Sequence, residues 1–171
     1  MPKYLDEFSG DRIYVEPNIL LFAALADARF GRSSLEFLKR GSQGEFELLT
    51  SSLTIDEVAF VALKVKLEEK YEVTKGHIRY LKQHPEVVKA LAPEIGEVLD
   101  NVRRLCTIVE VNESDVERMQ EYMMSFGLLP RDAIHLAVAR RTGLTCIASS
   151  DKDFDRVSWV SRYEPRPLHT D

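Results

Sequence analysis

The chain has 171 residues, 44% of them hydrophobic, and a formal net charge of −5. That composition excludes an intrinsically disordered chain and suggests one domain with room for a sizeable core. No run of about 18 or more apolar residues appears, so no membrane span is expected, and the opening MPKYLDEFSG, with two acids and no apolar block, does not read as a secretory signal. The acidic balance weighs against indiscriminate nucleic-acid binding but says nothing about local patches. Cys106 and Cys146 lie in apolar runs without metal-ligand spacing, and they read as reduced core residues of a cytoplasmic protein.

Residues 12–16 read as a strand and 18–28 as the helix that follows. A second helix covers 33–40, ended by Gly41, and FELLTSS makes the next strand. Residues 55–70 form a long helix, apolar at its start and charged at its end. Thr74 is expected to cap a short helix over 75–83. Pro85 opens another over 85–92. Pro93 breaks it, and Ile95, Val98, Leu99 and Val102 restart the helical spacing. LCTIVEV (105–111) is a strand, followed by a capping box at Ser114 to Glu117 and a helix with Val116, Met119, Met123 and Phe126 on one face. Gly127 ends that helix. Pro130 opens the next, and Gly143 closes it. LTCIAS (144–149) is a strand, DKDFD a turn, and VSWVSRY an edge strand. Such alternation implies an α/β fold with a mostly parallel sheet and helices on both faces.

Ligands of open parallel sheets gather at the carboxyl ends of the strands, and acids sit there. Glu16 ends the first strand. Asp151 follows the fourth, with Asp153 and Asp155 close behind. Glu57 and Asp132 fall in the first turns of their helices. Taken singly, each has an ordinary explanation, as a turn residue or as a partner for the helix dipole. Gathered in one cleft, they repel one another and raise each other's pKa. A hard divalent cation relieves that repulsion, and an oxygen-only set favours Mg²⁺ or Mn²⁺ over zinc. Phosphodiester hydrolysis is the chemistry such a site serves best.

The stretches YVEPNILLFAAL, LTSSLTIDEVAFVAL and LLPRDAIHLAVARRTGLTCIASSDKDFDRV, with their spacing, resemble the PIN-domain ribonucleases, most closely the VapC-type toxins of prokaryotic toxin–antitoxin pairs. The likeness runs from about residue 12 to about residue 160. It implies a three-layer α/β/α sandwich with a four- to five-stranded sheet and a Mg²⁺- or Mn²⁺-dependent endoribonuclease with one or two ions, leaving a 5′-phosphate and a 3′-hydroxyl. Glu16 takes the place of the first acid, which is usually Asp. Glu57, Asp132 and Asp151 match the other three, and Asp153 is an additional metal ligand. Asn18 matches the residue that holds the first acid, and Ser149 stands where a Thr is usual. Residues 1–171 are expected to form a single domain with an extra helical insertion around 71–104, serving dimerisation or substrate grip. The implied partners are an RNA substrate, a protein antitoxin and a second copy of the chain.

Two alternatives stay open: an RNA-processing PIN nuclease without an antitoxin, and a catalytically silent PIN module that binds RNA or a partner. Glu16 keeps the second alive, because one extra methylene displaces a carboxylate in geometry intolerant of about 1 Å errors. Asp56 reads as a helix-capping acid and His135 as a hydrogen-bonded residue packed near the site. His77, His84 and His169 carry no signal. Lys64, Lys66, Lys70, Lys75, Arg79 and Lys82 make residues 58–82 net basic, with Arg29, Arg32, Lys39 and Arg40 after the first helix. They form either a solvated face or a track for an RNA backbone.

Overall fold

The computed structural model describes residues 2–168, so His169 lies outside the described residues. Among these residues six strands form one sheet: β1 (Lys3–Tyr4), β2 (Arg12–Val15), β3 (Glu47–Ser51), β4 (Thr107–Val109), β5 (Cys146–Ala148) and β6 (Ser161–Glu164). Their order is β1-β6-β5-β2-β3-β4, and every neighbouring pair is parallel. All carboxyl ends therefore share one edge. From β2 the chain steps outward through β3 and β4, then returns to pair β5 on the other side of β2. The switch point of the sheet is the gap between β2 and β5.

Among the described residues, seven α-helices cover the two faces: α1 (Pro17–Ala24), α2 (Gly31–Ser42), α3 (Ser52–Tyr71), α4 (His77–Gln83), α5 (Pro85–Leu105), α6 (Glu113–Phe126) and α7 (Pro130–Arg141). Strand alternation divides the core between them. Ile13, Val15, Leu48 and Ala148 face α1, α2, α3 and α5 through Ile19, Phe37, Val58 and Val102. Tyr14, Leu49 and Ile147 face α6 and α7 through Tyr122, Leu136 and Ala137. The α/β/α layering expected from sequence is present, with six strands where four or five were expected.

The extra strands have a simple cause. β1 is two residues long, too short to show periodicity, and it pairs only with β6. β6 starts four residues later than VSWVSRY suggested and lies inside the sheet, between β1 and β5.

Helix limits also differ from the sequence expectation. α1 stops at Ala24, because Ala26 turns to φ 50° and the Asp27 carboxylate accepts from the amides of Arg29 and Phe30. Gly41 lies inside α2 and does not end it. A Cβ there would stand 2.5 Å from a Leu48 methyl, so glycine is required by close packing on β3. α3 starts at Ser52 with Ser51 as its cap. Glu57 and Asp56 thus sit in its second turn, and Asp56 is an exposed surface acid with no capping role. Gly76, not Thr74, precedes α4.

α5 runs unbroken through Pro93. Proline removes a helix hydrogen bond, but Pro93 and Lys89, whose carbonyl loses its partner, are both on the exposed face. Val87, Leu91, Ile95 and Val102 hold the buried face in place. α6 is capped two residues earlier than expected, by Asn112 and Asp115 as a capping box. Its buried face is consequently Asp115 and Tyr122, while Val116 and Met123 are exposed.

The segment expected as an insertion is built from α4 and α5. They pack on the outer half of α3 through a small separate core of Leu67, Leu81, Val87 and Leu91. No described helix is long and apolar enough to cross a membrane. Cys106 is buried, and burial pushes its thiol up to about 12, so it is a poor nucleophile.

Candidate active site

Glu16 occupies the N-cap of α1, where β2 delivers the chain to the switch point. Its amide donates to the Ala148 carbonyl, which stitches it to the end of β5. A short polar side chain at an N-cap normally turns back onto the helix. Glu16 instead points across the gap and is 4% exposed. Its Oε2 accepts from Ser149 Oγ and from Asn18 Nδ2 at 2.7 Å. Asn18 then accepts from the Ser150 amide through its own Oδ1 at 3.2 Å. All these donors are neutral. Burial raises the Glu16 pKa from 4.5 to about 7, with Asp132 and Asp151 adding to the rise against opposition from His135 and the Ser149 hydroxyl.

Asp151 follows β5 and caps a short 3₁₀ helix at Lys152–Arg156, its Oδ1 accepting from the Asp153 amide at 2.8 Å. Ser149 Oγ accepts from the Asp151 amide at 2.9 Å, so one hydroxyl links Glu16 to Asp151. Asp132 enters from the first turn of α7, which Pro130 starts. Burial raises its pKa, and Asp151, Asp153 and Glu57 push in the same direction. Among the described residues, Asp132 has no hydrogen-bond or ion-pair partner. The Asp151 carboxylate thus adds to the rise at both Glu16 and Asp132.

Glu57 and Asp153 are placed differently. Glu57 faces His135 Nε2 at 2.7 Å and Arg131 Nη1 at 3.4 Å. Burial alone would raise its pKa, but His135 and Arg131 outweigh burial and lower it. Asp153 pairs with Arg156 at 2.8 Å. The unpaired negative charge thus rests on three of the five expected acids.

A metal can be tested against this donor set. Glu16, Asp132 and Asp151 offer only carboxylate oxygens, joined by backbone and hydroxyl neighbours that also present oxygen. That chemistry suits a hard divalent cation and does not suit zinc. Among the described residues, no three carboxylate, imidazole or thiolate groups stand close enough as placed to share one ion. The donor chemistry fits, and the side chains must draw together for ligation.

His135 is 1% exposed, and it belongs to a buried chain of hydrogen bonds. Tyr14 Oη lies 2.7 Å from His135 Nδ1, and Ser51 Oγ lies 3.4 Å from the same nitrogen. The two ring nitrogens thus meet Tyr14 on the buried side and Glu57 on the site side. Tyr14 was not singled out from sequence. The available signal was a polar-tipped aromatic at the middle of an apolar strand, on the face opposite Ile13 and Val15.

Arg162 was also missed. Its side chain donates to both Asp155 oxygens (2.7 and 2.9 Å), to Glu164 (2.7 Å) and to the Ser149 carbonyl (3.1 Å). It clamps both ends of the segment that carries Asp151 and Asp153.

The basic stretch is partly neutralised. Lys66 pairs with Glu69, Lys70 with Glu94, Arg32 with Glu36 and Arg40 with Glu45.

Comparison with known proteins gives the fold and the family. The chain is 23% identical over 155 residues to Ribonuclease VapC2 of Methanocaldococcus jannaschii, covering 90% of this chain and 94% of that protein. Its backbone resembles the crystal structure of VapC20 from Mycobacterium tuberculosis, described as a sarcin-ricin loop cleaving toxin, with a TM-score of 0.58, 15% identity, and 87% and 97% of the two chains covered. It also resembles a toxin–antitoxin complex from Klebsiella pneumoniae, with a TM-score of 0.51, 19% identity, and 86% and 94% covered. A family profile described as PIN domain matches residues 13–160, which takes in all the strand-end acids, and the chain belongs to the PIN domain family.

Proposed function

We propose that the chain is a Mg²⁺- or Mn²⁺-dependent endoribonuclease that acts in the cytoplasm as the toxin of a type II toxin–antitoxin pair. The observation that carries this reading is the approach of Glu16, Asp132 and Asp151 to the β2–β5 switch point, where Asp151 adds to the raised pKa of the other two and none of the three has an ion-pair partner among the described residues. These three would hold the cation, with Glu57 and Asp153 orienting water or completing a second position. When bound, the ion supplies Lewis acidity at the scissile phosphate and a lowered pKa for its water. Asn18 and Ser149 fix the Glu16 carboxylate, and the Ser149 hydroxyl couples it to Asp151. His135 holds Glu57 from the buried side. The Klebsiella toxin–antitoxin complex supports a protein antitoxin as partner, and a homodimer is part of the same proposal.

A catalytically silent module is the second reading, favoured by the ion pairs that engage Glu57 and Asp153. Incubation of the full chain with structured RNA and Mn²⁺ separates the two. The nuclease reading predicts cleavage that EDTA and Asp132→Asn both abolish. Cleavage that survives either one contradicts it, and an intact RNA panel under Mn²⁺ favours the silent module. Growth arrest on expression, relieved by Asp132→Asn, distinguishes a toxin from an RNA-processing enzyme.

A further inference from the structure

Directly beside Asp151 the surface opens into a cavity of about 350 Å³, lined by Tyr4, Arg29, Phe30, Ser150, Lys152 and Glu164 among others. Ser150 and Lys152 flank Asp151 in the chain, so the cavity wall and the acidic rim share one loop. A second cavity of about 580 Å³ continues past Lys152 and Glu164 along β6. Nothing in the acidic site uses either space.

The charges around this cavity are unevenly committed. Glu164 is held by Arg162 at 2.7 Å, and Arg166 is held by Asp6 and Glu7 at 2.8 Å each. Among the described residues, the side chains of Arg29 and Lys152 have no carboxylate partner, and both residues are exposed. Two uncommitted cations therefore stand at the mouth of a site whose own acids repel a phosphodiester. Phe22 packs on Phe30 at a 40° tilt with ring centroids 5.1 Å apart, and the Arg29 guanidinium lies over the Phe30 ring, 4.8 Å from its centroid. Stacking Arg29 on an aromatic base restrains its planar group and leaves its outer surface for another flat ring. Guanidinium planes and aromatic rings are what unstacked nucleobases pack against in single-stranded RNA, while lysine meets the backbone as a point charge.

We propose that this cavity is a nucleotide subsite for single-stranded RNA, in which Lys152 holds the phosphate next to the scissile one and Arg29, backed by Phe30, stacks the adjoining base. The subsite deepens the nuclease reading and rests on it. It gives a physical reason for a loop that alternates a metal-type acid, a lysine and a second acid: the carboxylates serve the cleaved phosphate and the lysine serves its neighbour.

The test is binding, measured without catalysis. Fluorescence anisotropy of a labelled 12-nucleotide single-stranded RNA is followed in EDTA across a salt series, with the full chain and with Lys152→Ala, Arg29→Ala and Arg29→Lys. Both alanine variants should weaken binding roughly 3- to 10-fold and each should lower the salt slope by about 0.7. Arg29→Lys should restore the slope while leaving the affinity low, because it returns the charge without the plane. Lys89→Ala, on the far side of α5, should change nothing. Unchanged affinity in both alanine variants overturns the subsite, as does equal binding of a duplex of the same length. Failure of the intact chain to bind the single strand also overturns it. The Mn²⁺ cleavage assay stands apart from all of these results, so loss of the subsite and loss of the nuclease reading remain distinguishable.

Discussion

Glu16 and Glu57 follow adjacent parallel strands, yet their environments push them in opposite directions. Glu16 is almost fully buried among neutral hydroxyl and amide donors and shares its surroundings with Asp132 and Asp151, so its pKa rises. Glu57 is only half-buried and faces an imidazole and a guanidinium, so its pKa falls. Position at the rim of the sheet does not decide the charge state of an acid. The polarity and charge of the groups that reach it from other elements do. One glutamate has no ion-pair partner among the described residues, and the other is satisfied from within the chain.

Removing the charge at the unsatisfied end should break the contrast most visibly. Glu16→Gln should lower Mn²⁺-dependent RNA cleavage on the order of 100-fold or more, since even groups that only support a ligand cost 10- to 100-fold. Without divalent ions the same variant should be more stable than the wild type at pH 8, by about 3 kcal/mol at most, and little changed at pH 4. The sign follows from the raised folded pKa. The Glu16 contribution is fully present below 4.5 and is lost as pH rises through about 7. Glu57 runs the other way: its contribution is present above the ordinary carboxylate value and is lost as pH falls through its lowered one. Thermal melts of the ion-free chain should therefore improve from pH 8 towards pH 5 and deteriorate again on further acidification. A monotonic profile across that range would remove the contrast.

The satisfied end can be dismantled in steps of decreasing size. His135→Ala empties a buried site and strips partners from both Tyr14 and Glu57, and chemical denaturation should show a loss of about 2–4 kcal/mol. Tyr14→Phe removes one hydroxyl from the same chain and should cost about 1 kcal/mol. Arg131→Ala removes a side chain that is 59% exposed and should change stability by less than about 0.5 kcal/mol. If Arg131→Ala cost as much as His135→Ala, the guanidinium and not the imidazole would be what settles Glu57.

The same contrast marks what could be read from the sequence. Glu16, Asp132 and Asp151 were legible because strand–helix alternation implies a parallel sheet, and a parallel sheet collects strand ends at one edge. Asn18 and Ser149 were placed by resemblance to the family; Asn18 reaches Glu16 from two residues further along the chain, and Ser149 reaches it across the β2–β5 gap. The pairing of Glu57 was not legible. His135 lies 78 positions away and Arg131 lies 74 away, and which way those side chains turn depends on packing between α3 and α7. Pro93 misled for a related reason. Its local cost is real, but burial of Val87, Leu91, Ile95 and Val102 on α3 carries the helix through. β1 was invisible because two residues carry no period, and without it β6 looked like an edge.

The account rests on Glu16, Asp132 and Asp151 jointly holding a hard divalent cation, and calorimetric titration of Mn²⁺ into the EDTA-stripped full chain at pH 7 tests this most directly. We predict saturable binding that releases protons as Glu16 ionises, and an affinity at least about tenfold lower in Asp132→Asn. Heats no greater than dilution in the wild type, or equal affinity in the two proteins, would contradict it.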